Sequence, residues 1–377
     1  MTHEMRVLVR EMLPGERADV EALFGRNLGL IDRIAFLLSF EDALKSAQRQ
    51  NGGSLVAVYE GQIVGSVSLR THTVRDKRTG FIDAFVTEKE LRGRGIGGSL
   101  VDKAVSWLEE RECDEICATA DRYNSPSWNT FIHRGFSVYE FPQQFKDYGW
   151  GFLRLWLSEF HFIGFGTFFL RRSRKQVKPA PETAEAWHYL LAWLSASLVW
   201  LIPILRSGRP WEYYLTLFSV TGLSILIHEL SQRFAARRIG LETTFRAWES
   251  GILFGSLLAA IGSFFPAYGS TYVRRLDYWY NAMEKKTGAI FAVGPSVSLA
   301  LAVVFLTLSF CTTSGLLTSL AKVGYTTNLL NAVFNLVPIQ AAGGFVWDGR
   351  KILSWNKAIW SMLLLVAIAL VVFDTIL

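Results

Sequence analysis

The sequence predicts an α/β domain with a mixed, mostly antiparallel sheet flanked by helices, followed by an all-α polytopic membrane domain. The chain has 377 residues, more than one domain usually holds. Hydrophobic residues make up 50% of it and the mean hydropathy is +0.24, both high for a soluble protein. Up to about Lys178 polar and apolar residues alternate, whereas long apolar runs dominate beyond Trp187.

The charged residues and cysteines narrow the class of protein. Although the net charge is +6, Lys and Arg cluster beside the apolar runs instead of on one predicted helix or strand face. This pattern is typical of cytoplasmic membrane flanks and argues against a nucleic-acid partner. Cys113, Cys117 and Cys311 lack the spacing of zinc-ribbon or thioredoxin motifs, and their odd number argues against a disulfide framework. The N-terminus has no apolar signal core, so we expect a cytoplasmic N-terminal head.

Hydrophobic periodicity in the head predicts an alternation of strands and helices. A strand starts near Arg6, two helical patterns follow, and two alternating runs flank the turn Glu60-Gly61-Gln62, which predicts an antiparallel hairpin. A strand, a glycine-rich turn opening a helix, a buried strand, a helix and a final strand come next. Helices are predicted at 16–23, at about 41–50 and at 124–135. The strands after the hairpin are predicted at 81–87, 114–120 and 136–141.

The glycine-rich turn is the segment of the head that carries chemistry. It consists of Arg92, Gly93, Arg94, Gly95, Ile96, Gly97 and Gly98. Glycines let successive N–H groups point into one concavity at a helix N-terminus, where they and the helix dipole favour a pyrophosphate. The alternative is a helix entry loop that binds no ligand, but so many glycines would then destabilise the helix without serving a function.

Two nucleotide-binding patterns fit this turn. Gly93, Gly95 and Gly98 match the Rossmann pattern G-x-G-x-x-G, and Asp121 lies about where its ribose-binding acid should be. The preceding strand follows an antiparallel hairpin, however, whereas a Rossmann unit needs parallel strands joined by crossovers. The antiparallel hairpin therefore argues against a Rossmann unit.

The order of elements instead resembles the GNAT acetyltransferase family, roughly from Arg6 to Phe141. Arg92, Gly95 and Gly97 match the pyrophosphate motif of that family, [R/Q]-x-x-G-x-[G/A]. The resemblance implies the GNAT fold, acetyl-CoA or another acyl-CoA as cofactor, and an amine or protein as acceptor.

The resemblance also implies where the cofactor lies. In the family, the end of the strand before the turn pairs with the pantetheine arm, which places Phe85, Val86 and Thr87 along it. Asn124 matches the asparagine that opens the following helix and commonly contacts the cofactor.

The family's usual general acid is absent from this chain, and two residues are candidates for the general base. Where the family usually has a tyrosine as general acid, this chain has Phe131, which has no proton to donate. Glu88 or Asp83 is a candidate general base, and an ordinary strand-end carboxylate is the alternative in each case. Many family members act by positioning alone.

A connector follows the head. Its aromatic segment has two open interpretations: a last strand over 161–170, or an interfacial segment that rests on the bilayer through Trp150, Trp156 and Phe160. The basic run after residue 170 is typical of a cytoplasmic anchor, with a solvated linker as the alternative. We therefore divide the chain into a head (1–170), a linker (171–187) and a membrane domain (188–377).

The membrane domain contains about five apolar runs long enough to cross a bilayer. They lie at 190–205, 213–235, 289–311, 326–345 and 358–376. The segment 251–268 is interrupted by glycine and proline, and a re-entrant course is preferred because it returns Arg274, Arg275, Lys285 and Lys286 to the cytoplasmic side.

A polar motif interrupts the second apolar run. His228, Glu229 and Gln232 follow the spacing of the zinc motif HExxH, with glutamine in place of the second histidine. Ionisable residues inside an apolar helix are costly, so a functional role is the default hypothesis. A buried polar contact between helices is the alternative.

From about Trp211 to Trp355 the residues resemble the site-2 protease family of membrane metalloproteases. The resemblance implies that His228 and Asp348 ligate Zn²⁺ and that Glu229 is the general base on bound water. At the remaining ligand position, Gln232 offers an amide oxygen, a far poorer zinc ligand than imidazole.

Two functions follow from the sequence. The first is a membrane-bound N-acetyltransferase that acts on an amine at the cytoplasmic face of the cell membrane. The second is an intramembrane zinc metalloprotease, or an inactive relative of one, regulated by an acyl-CoA-binding head. The lipid bilayer is a partner in both.

Overall fold

The structure is a computed structural model. It describes residues 7–159, 161–162, 164, 166–174, 183–263, 265–273, 280–313, 315–341 and 345–376. The chain divides into two compact units, one of Met1–Glu182 with Ala341–Gly344 and one of Thr183–Gln340 with Phe345–Leu377. We call the first unit the head and the second the body.

The head is built on one mixed sheet. Its strands within the described residues are β1 (Leu8–Glu11), β2 (Gly52–Tyr59), β3 (Gln62–Val74), β4 (Lys77–Thr87), β5 (Glu115–Asp121), β6 (Ser137–Val138) and β7 (Thr167–Ser173). Their order is β1-β2-β3-β4-β5-β7-β6, and β4–β5 is the parallel pair while the other neighbours are antiparallel. The predicted fold class of the head is confirmed.

Helices cover both faces of this sheet. They are α1 (Arg17–Asn27), α2 (Leu30–Ala47), α3 (Ile96–Glu110), α4 (Ser125–Ile132), α5 (Phe141–Tyr148) and α6 (Phe152–Ser158). Alternate strand residues point to opposite faces, so two apolar clusters form. Leu100 of α3 and Phe131 of α4 lie in one, and Phe24 of α1 and Phe40 of α2 lie in the other.

Several predicted bounds in the head are corrected. Helix α2 begins at Leu30, well before the predicted start near residue 41, and the final predicted strand 136–141 shrinks to the two residues of β6. The strand interpretation of the connector holds, because β7 is the strand between β5 and β6. Since β7 runs to Ser173, the predicted head boundary at residue 170 falls too early.

The interfacial interpretation of the connector is not supported at Trp156. This side chain is only 1% exposed and packs edge-on against Phe152 and Phe141, so it belongs to the core of the head. Trp150 is 73% exposed and remains available to a surface. Phe160 lies outside the described residues.

The body is mainly helical. Its helices are α7 (Glu185–Ile204), α8 (Trp211–Arg238), α9 (Glu249–Ala260), α10 (Tyr280–Cys311), α11 (Leu316–Leu336), α12 (Asp348–Trp355) and α13 (Lys357–Ile376). Short strands β8 (Thr243–Ala247) and β9 (Gly269–Val273) form an antiparallel pair, and β10 (Gln340–Ala341) pairs with β11 (Phe345–Val346). By length and composition, α8 and the part of α10 from Thr287 to Cys311 are able to cross a membrane.

Two predicted segments of the body have different bounds in the structure. The predicted span 326–345 is displaced, since α11 ends at Leu336, just before a proline that cannot continue a helix. The segment 251–268 is helical only to Ala260, and the chain then returns into β9. The sequence analysis missed the β8–β9 pair. Arg274 and Arg275 lie outside the described residues.

Candidate functional site

The glycine-rich turn forms the N-terminus of α3. Gly93 and Gly95 have φ values of +78° and +83°, and a Cβ at either would meet no atom within 4 Å, so glycine is needed there for backbone conformation. The N–H of Ser99 donates to the carbonyl of Gly95 at 3.0 Å and closes the first helical turn. Ahead of it, the N–H groups of Ile96, Gly97 and Gly98 have no acceptor within the helix, which is the geometry that favours an anion.

The end of β4 lies beside this helix terminus. Strands β4 and β5 pair from Thr79 to Ile82, and no further pairing between them is seen in the described residues, although β4 continues to Thr87. Ala84 has a φ of +43°, and the register with β3 shifts nearby, as at a β-bulge. The backbone of Phe85, Val86 and Thr87 therefore lies beyond the paired part of β4 and β5, where the two parallel strands diverge.

The residues at the opening of α4 are placed as follows. Asn124 is the N-cap of α4, and its side-chain oxygen accepts a hydrogen bond from the N–H of Ser127 at 3.3 Å. Phe131 is 1% exposed, and its ring lies 5.6 Å from that of Phe85 and 5.3 Å from that of Phe136. Phe131 is therefore a core residue.

Glu88 is bound to α1. Its carboxylate accepts hydrogen bonds from Arg26 at 2.9 Å and from the side chain of Asn27 at 2.9 Å. Burial raises the pKa of Glu88, but the hydrogen bonds from Arg26 and Asn27 outweigh burial, so its pKa lies below the usual range. The carboxylate is thus a weaker base than an ordinary glutamate.

Asp83, the other candidate base, belongs to a buried charge cluster that the sequence analysis missed. Arg70 of β3 is 2% exposed, and its Nε donates to Asp83 at 2.9 Å. Its remaining donors reach Asp42 at 2.7 Å and Glu159 at 3.2 Å. Burial, followed by the charge of Asp83, raises the pKa of Glu159 well above its usual range. An arginine inside the apolar alternation of β3 was the signal for this cluster.

In the body, α8 and the start of α12 bring the motif residues together. His228, Gln232 and Asp348 are each at most 4% exposed. The distance from His228 Nε2 to Asp348 Oδ2 is 3.4 Å, and Gln232 Nε2 lies 3.0 Å from His228 Nε2. On the far side of the imidazole, Nδ1 lies 3.0 Å from the hydroxyl of Ser298. The structure therefore brings His228 and Asp348 into contact.

Two further contacts decide what this cluster can hold. Lys351, which the sequence analysis missed, donates to Asp348 Oδ1 at 3.1 Å. Glu229 accepts from the hydroxyl of Thr271 in β9 at 2.5 Å. No group of three or more His, Cys, Asp and Glu side chains arranged to hold a metal is found in the described residues. With a lysine on the carboxylate and an amide in place of imidazole, these residues do not fit a zinc ion.

Comparison with known proteins identifies both units. Residues 27–136 match the acetyltransferase (GNAT) family. A protein of Methanocaldococcus jannaschii named as a zinc metalloprotease is 36% identical over 143 residues, which cover 37% of this chain and 70% of that protein. The chain is a fusion: it belongs to the family of this metalloprotease and carries a GNAT domain at residues 27–136. We refer to the head as the GNAT domain and to the body as the metalloprotease-like domain.

Two further proteins are similar to parts of this chain. An N-alpha-acetyltransferase of Arabidopsis thaliana is 30% identical over 81 residues, but the alignment spans 22% of this chain and only 43% of that protein. The N-acetyltransferase of Thermoplasma acidophilum, solved in complex with coenzyme A, has a TM-score of 0.34 and 11% identity over 45% of this chain and 99% of that one. Family membership makes the GNAT domain an acyltransferase.

Proposed function

We propose that the chain is a membrane-bound N-acetyltransferase that uses acetyl-CoA to acetylate an amine at the cytoplasmic face. The observation that carries this proposal is the N-terminus of α3, which presents N–H groups without helical acceptors next to the diverging end of β4. A pyrophosphate at the N-terminus of α3 and a pantetheine amide at the end of β4 would form hydrogen bonds with both sets of backbone groups.

The chain's own residues would act mainly by binding and positioning. Ile96, Gly97 and Gly98 donate N–H groups to the diphosphate, while Arg92 and Arg94 add positive charge. When bound, acetyl-CoA would supply an activated acyl group: a C–N bond to the amine forms as the C–S bond breaks, coenzyme A leaves as a thiolate that takes a proton from solvent, and the amine loses a proton to solvent. Phe131, which stands where the family usually has a tyrosine, is buried against Phe85 and has no proton to donate. The reaction would therefore depend on alignment of the amine and the thioester, with solvent taking and returning protons.

Replacement of Glu88 by glutamine tests whether this residue is the general base. We expect kcat to change by no more than about threefold, because the carboxylate already binds Arg26 and Asn27 and its pKa is lowered. Steady-state kinetics with acetyl-CoA and a panel of amines measure the effect. A fall in kcat of about 10²- to 10⁴-fold would instead establish Glu88 as the base.

Apolar stripes on the body support the membrane location. On α7, Leu191, Leu194 and Leu198 are 40 to 48% exposed at the three- and four-residue spacing of one helix face. Similar exposure on α8 at Leu223 and Leu230 extends the apolar surface. Exposed apolar surfaces of this extent normally contact another apolar phase. Since two helices are long and apolar enough to span a bilayer, the lipid hydrocarbon is the phase that fits.

Alkaline carbonate extraction tests this location. We expect the full-length chain to stay in the membrane pellet through carbonate and high-salt washes and to be released by detergent, because buried apolar area rather than charge holds it. A peripheral membrane protein serves as the control and should appear in the carbonate supernatant. Recovery of the full-length chain in that same supernatant would refute a spanning body.

A second candidate function is that of an inactive protease relative that binds peptide segments and is regulated by acyl-CoA in the GNAT domain. The close approach of His228, Gln232 and Asp348 favours it, since the protease-like geometry is retained although the donor set does not fit zinc. Acetylation of a peptide bound by the body would favour one joint function. Peptide binding without any amine turnover would favour this second candidate alone.

A further inference from the structure

We propose that the ammonium group of Lys351 takes the place of a metal ion's positive charge at Asp348 in the metalloprotease-like domain. Two independent features, this internal cation and the amide of Gln232, then keep zinc out of the site. The proposal concerns a residue outside the HExxH-like motif of α8. It does not depend on whether the GNAT domain transfers acetyl groups.

Both oxygens of Asp348 are engaged. Oδ1 accepts from the ammonium group of Lys351 at 3.1 Å, and Oδ2 accepts from the amide nitrogen of Gln232 at 2.6 Å. A buried carboxylate requires a compensating positive charge, and at 4% exposure Asp348 cannot obtain it from solvent. Lys351, itself only 7% exposed, supplies the charge that a divalent ion would otherwise bring.

The position of Lys351 is set by helix geometry. It lies three residues after Asp348 on α12, so the two side chains share one face of the helix. Its ammonium group also lies 3.6 Å from the ring centroid of Phe291 on α10, within the range of a cation–π contact. Asp348 on α12 and Phe291 on α10 therefore both contact the ammonium group of Lys351 and fix its position.

Gln232 presents the wrong group to a metal. Its amide nitrogen lies between His228 Nε2 and Asp348 Oδ2, while its side-chain oxygen is buried and has no hydrogen-bond partner among the described residues. Reversing the amide would place that oxygen against the carboxylate, where two acceptors repel each other. The cluster therefore retains a donor at the position where a zinc site needs a lone pair.

The two changes lead to a specific expectation for reconstruction of a zinc site. Restoring histidine with Gln232→His supplies the missing imidazole but leaves the ammonium group on Asp348. Zinc should therefore bind only when Gln232→His is combined with Lys351→Met, which removes the charge and keeps much of the side-chain volume. The combination of Gln232→His with Lys351→Arg keeps the charge and is the matched control.

The experiment measures zinc per chain by elemental analysis after incubation of the full-length, detergent-purified chain with Zn²⁺ and removal of free metal. We expect about one zinc for Gln232→His/Lys351→Met and less than about one tenth for the wild type, Gln232→His and the arginine control. Visible absorption of the Co²⁺-loaded double variant reports tetrahedral ligation independently of activity. Stoichiometric zinc in the wild type, or equal zinc in Gln232→His and the double variant, would overturn the proposal.

A second measurement covers the case in which the lysine variants fold poorly. Lys351→Met leaves Asp348 buried without its cation and should lower the thermal midpoint, whereas Asp348→Asn removes the charge that Lys351 compensates. In the Asp348→Asn background, Lys351→Met should therefore lower the thermal midpoint by less than roughly half as much as it does in the wild type, because the charges of the two residues are coupled. Equal costs in both backgrounds would show that the two residues do not compensate each other and would overturn the proposal.

Discussion

Gly95→Asp will weaken acetyl-CoA binding by roughly tenfold or more, equivalent to about 1.4 kcal/mol. Gly95 is the N-cap of α3 with a φ of +83°, directly before the N–H groups proposed to receive the diphosphate. An aspartate there places negative charge next to a negatively charged ligand and opposes the helix dipole's attraction for it. Isothermal titration calorimetry of the full-length chain with acetyl-CoA measures the affinity.

Gly95→Asn is the matched control. Asparagine has the same shape as aspartate and tolerates a positive φ, and a Cβ at this position meets no atom within 4 Å. It therefore reproduces the steric change without the charge and should bind acetyl-CoA clearly better than Gly95→Asp. Equal affinity of the two variants would mean that no diphosphate lies at this helix terminus.

Arg70→Met will destabilise the GNAT domain by about 3–5 kcal/mol. The guanidinium group is 2% exposed and is the shared partner of Asp83 and Glu159, whose side chains are 8% and 0% exposed. Its removal leaves carboxylates in the core without a compensating cation, which is far more costly than the loss of packing alone. Denaturant unfolding, followed by a signal from the GNAT domain, measures the change in free energy.

Arg17→Met is the control for the loss of an arginine with two carboxylate partners. Arg17 of α1 binds Glu21 and Glu41, but its side chain is 53% exposed. Solvent screens such pairs, so the unfolding free energy should change much less than in Arg70→Met. Similar destabilisation by both variants would show that burial does not govern the contribution of Arg70.

Local patterns anticipated much of the GNAT domain because its elements are defined by residues close in sequence. Alternation around Gly61 predicted the β2–β3 hairpin, and the glycines before Ile96 predicted the start of α3. Errors arose where periodicity was ambiguous. Helix α2 begins eleven residues earlier than predicted, and burial of Trp156 shows that an aromatic segment suited to an interface can equally pack into a core.

The sequence by itself determined the composition of each unit and the glycine-rich helix terminus, since these follow from short-range patterns. It named His228 and Asp348 together only through the family resemblance. The tertiary structure alone decided that the ring of Phe291 packs on the ammonium group of Lys351 and that Arg70 joins Asp83 to Glu159. Buried charges are balanced across packed elements. Hydrophobic periodicity records which residues are buried but not which distant residue supplies the opposite charge.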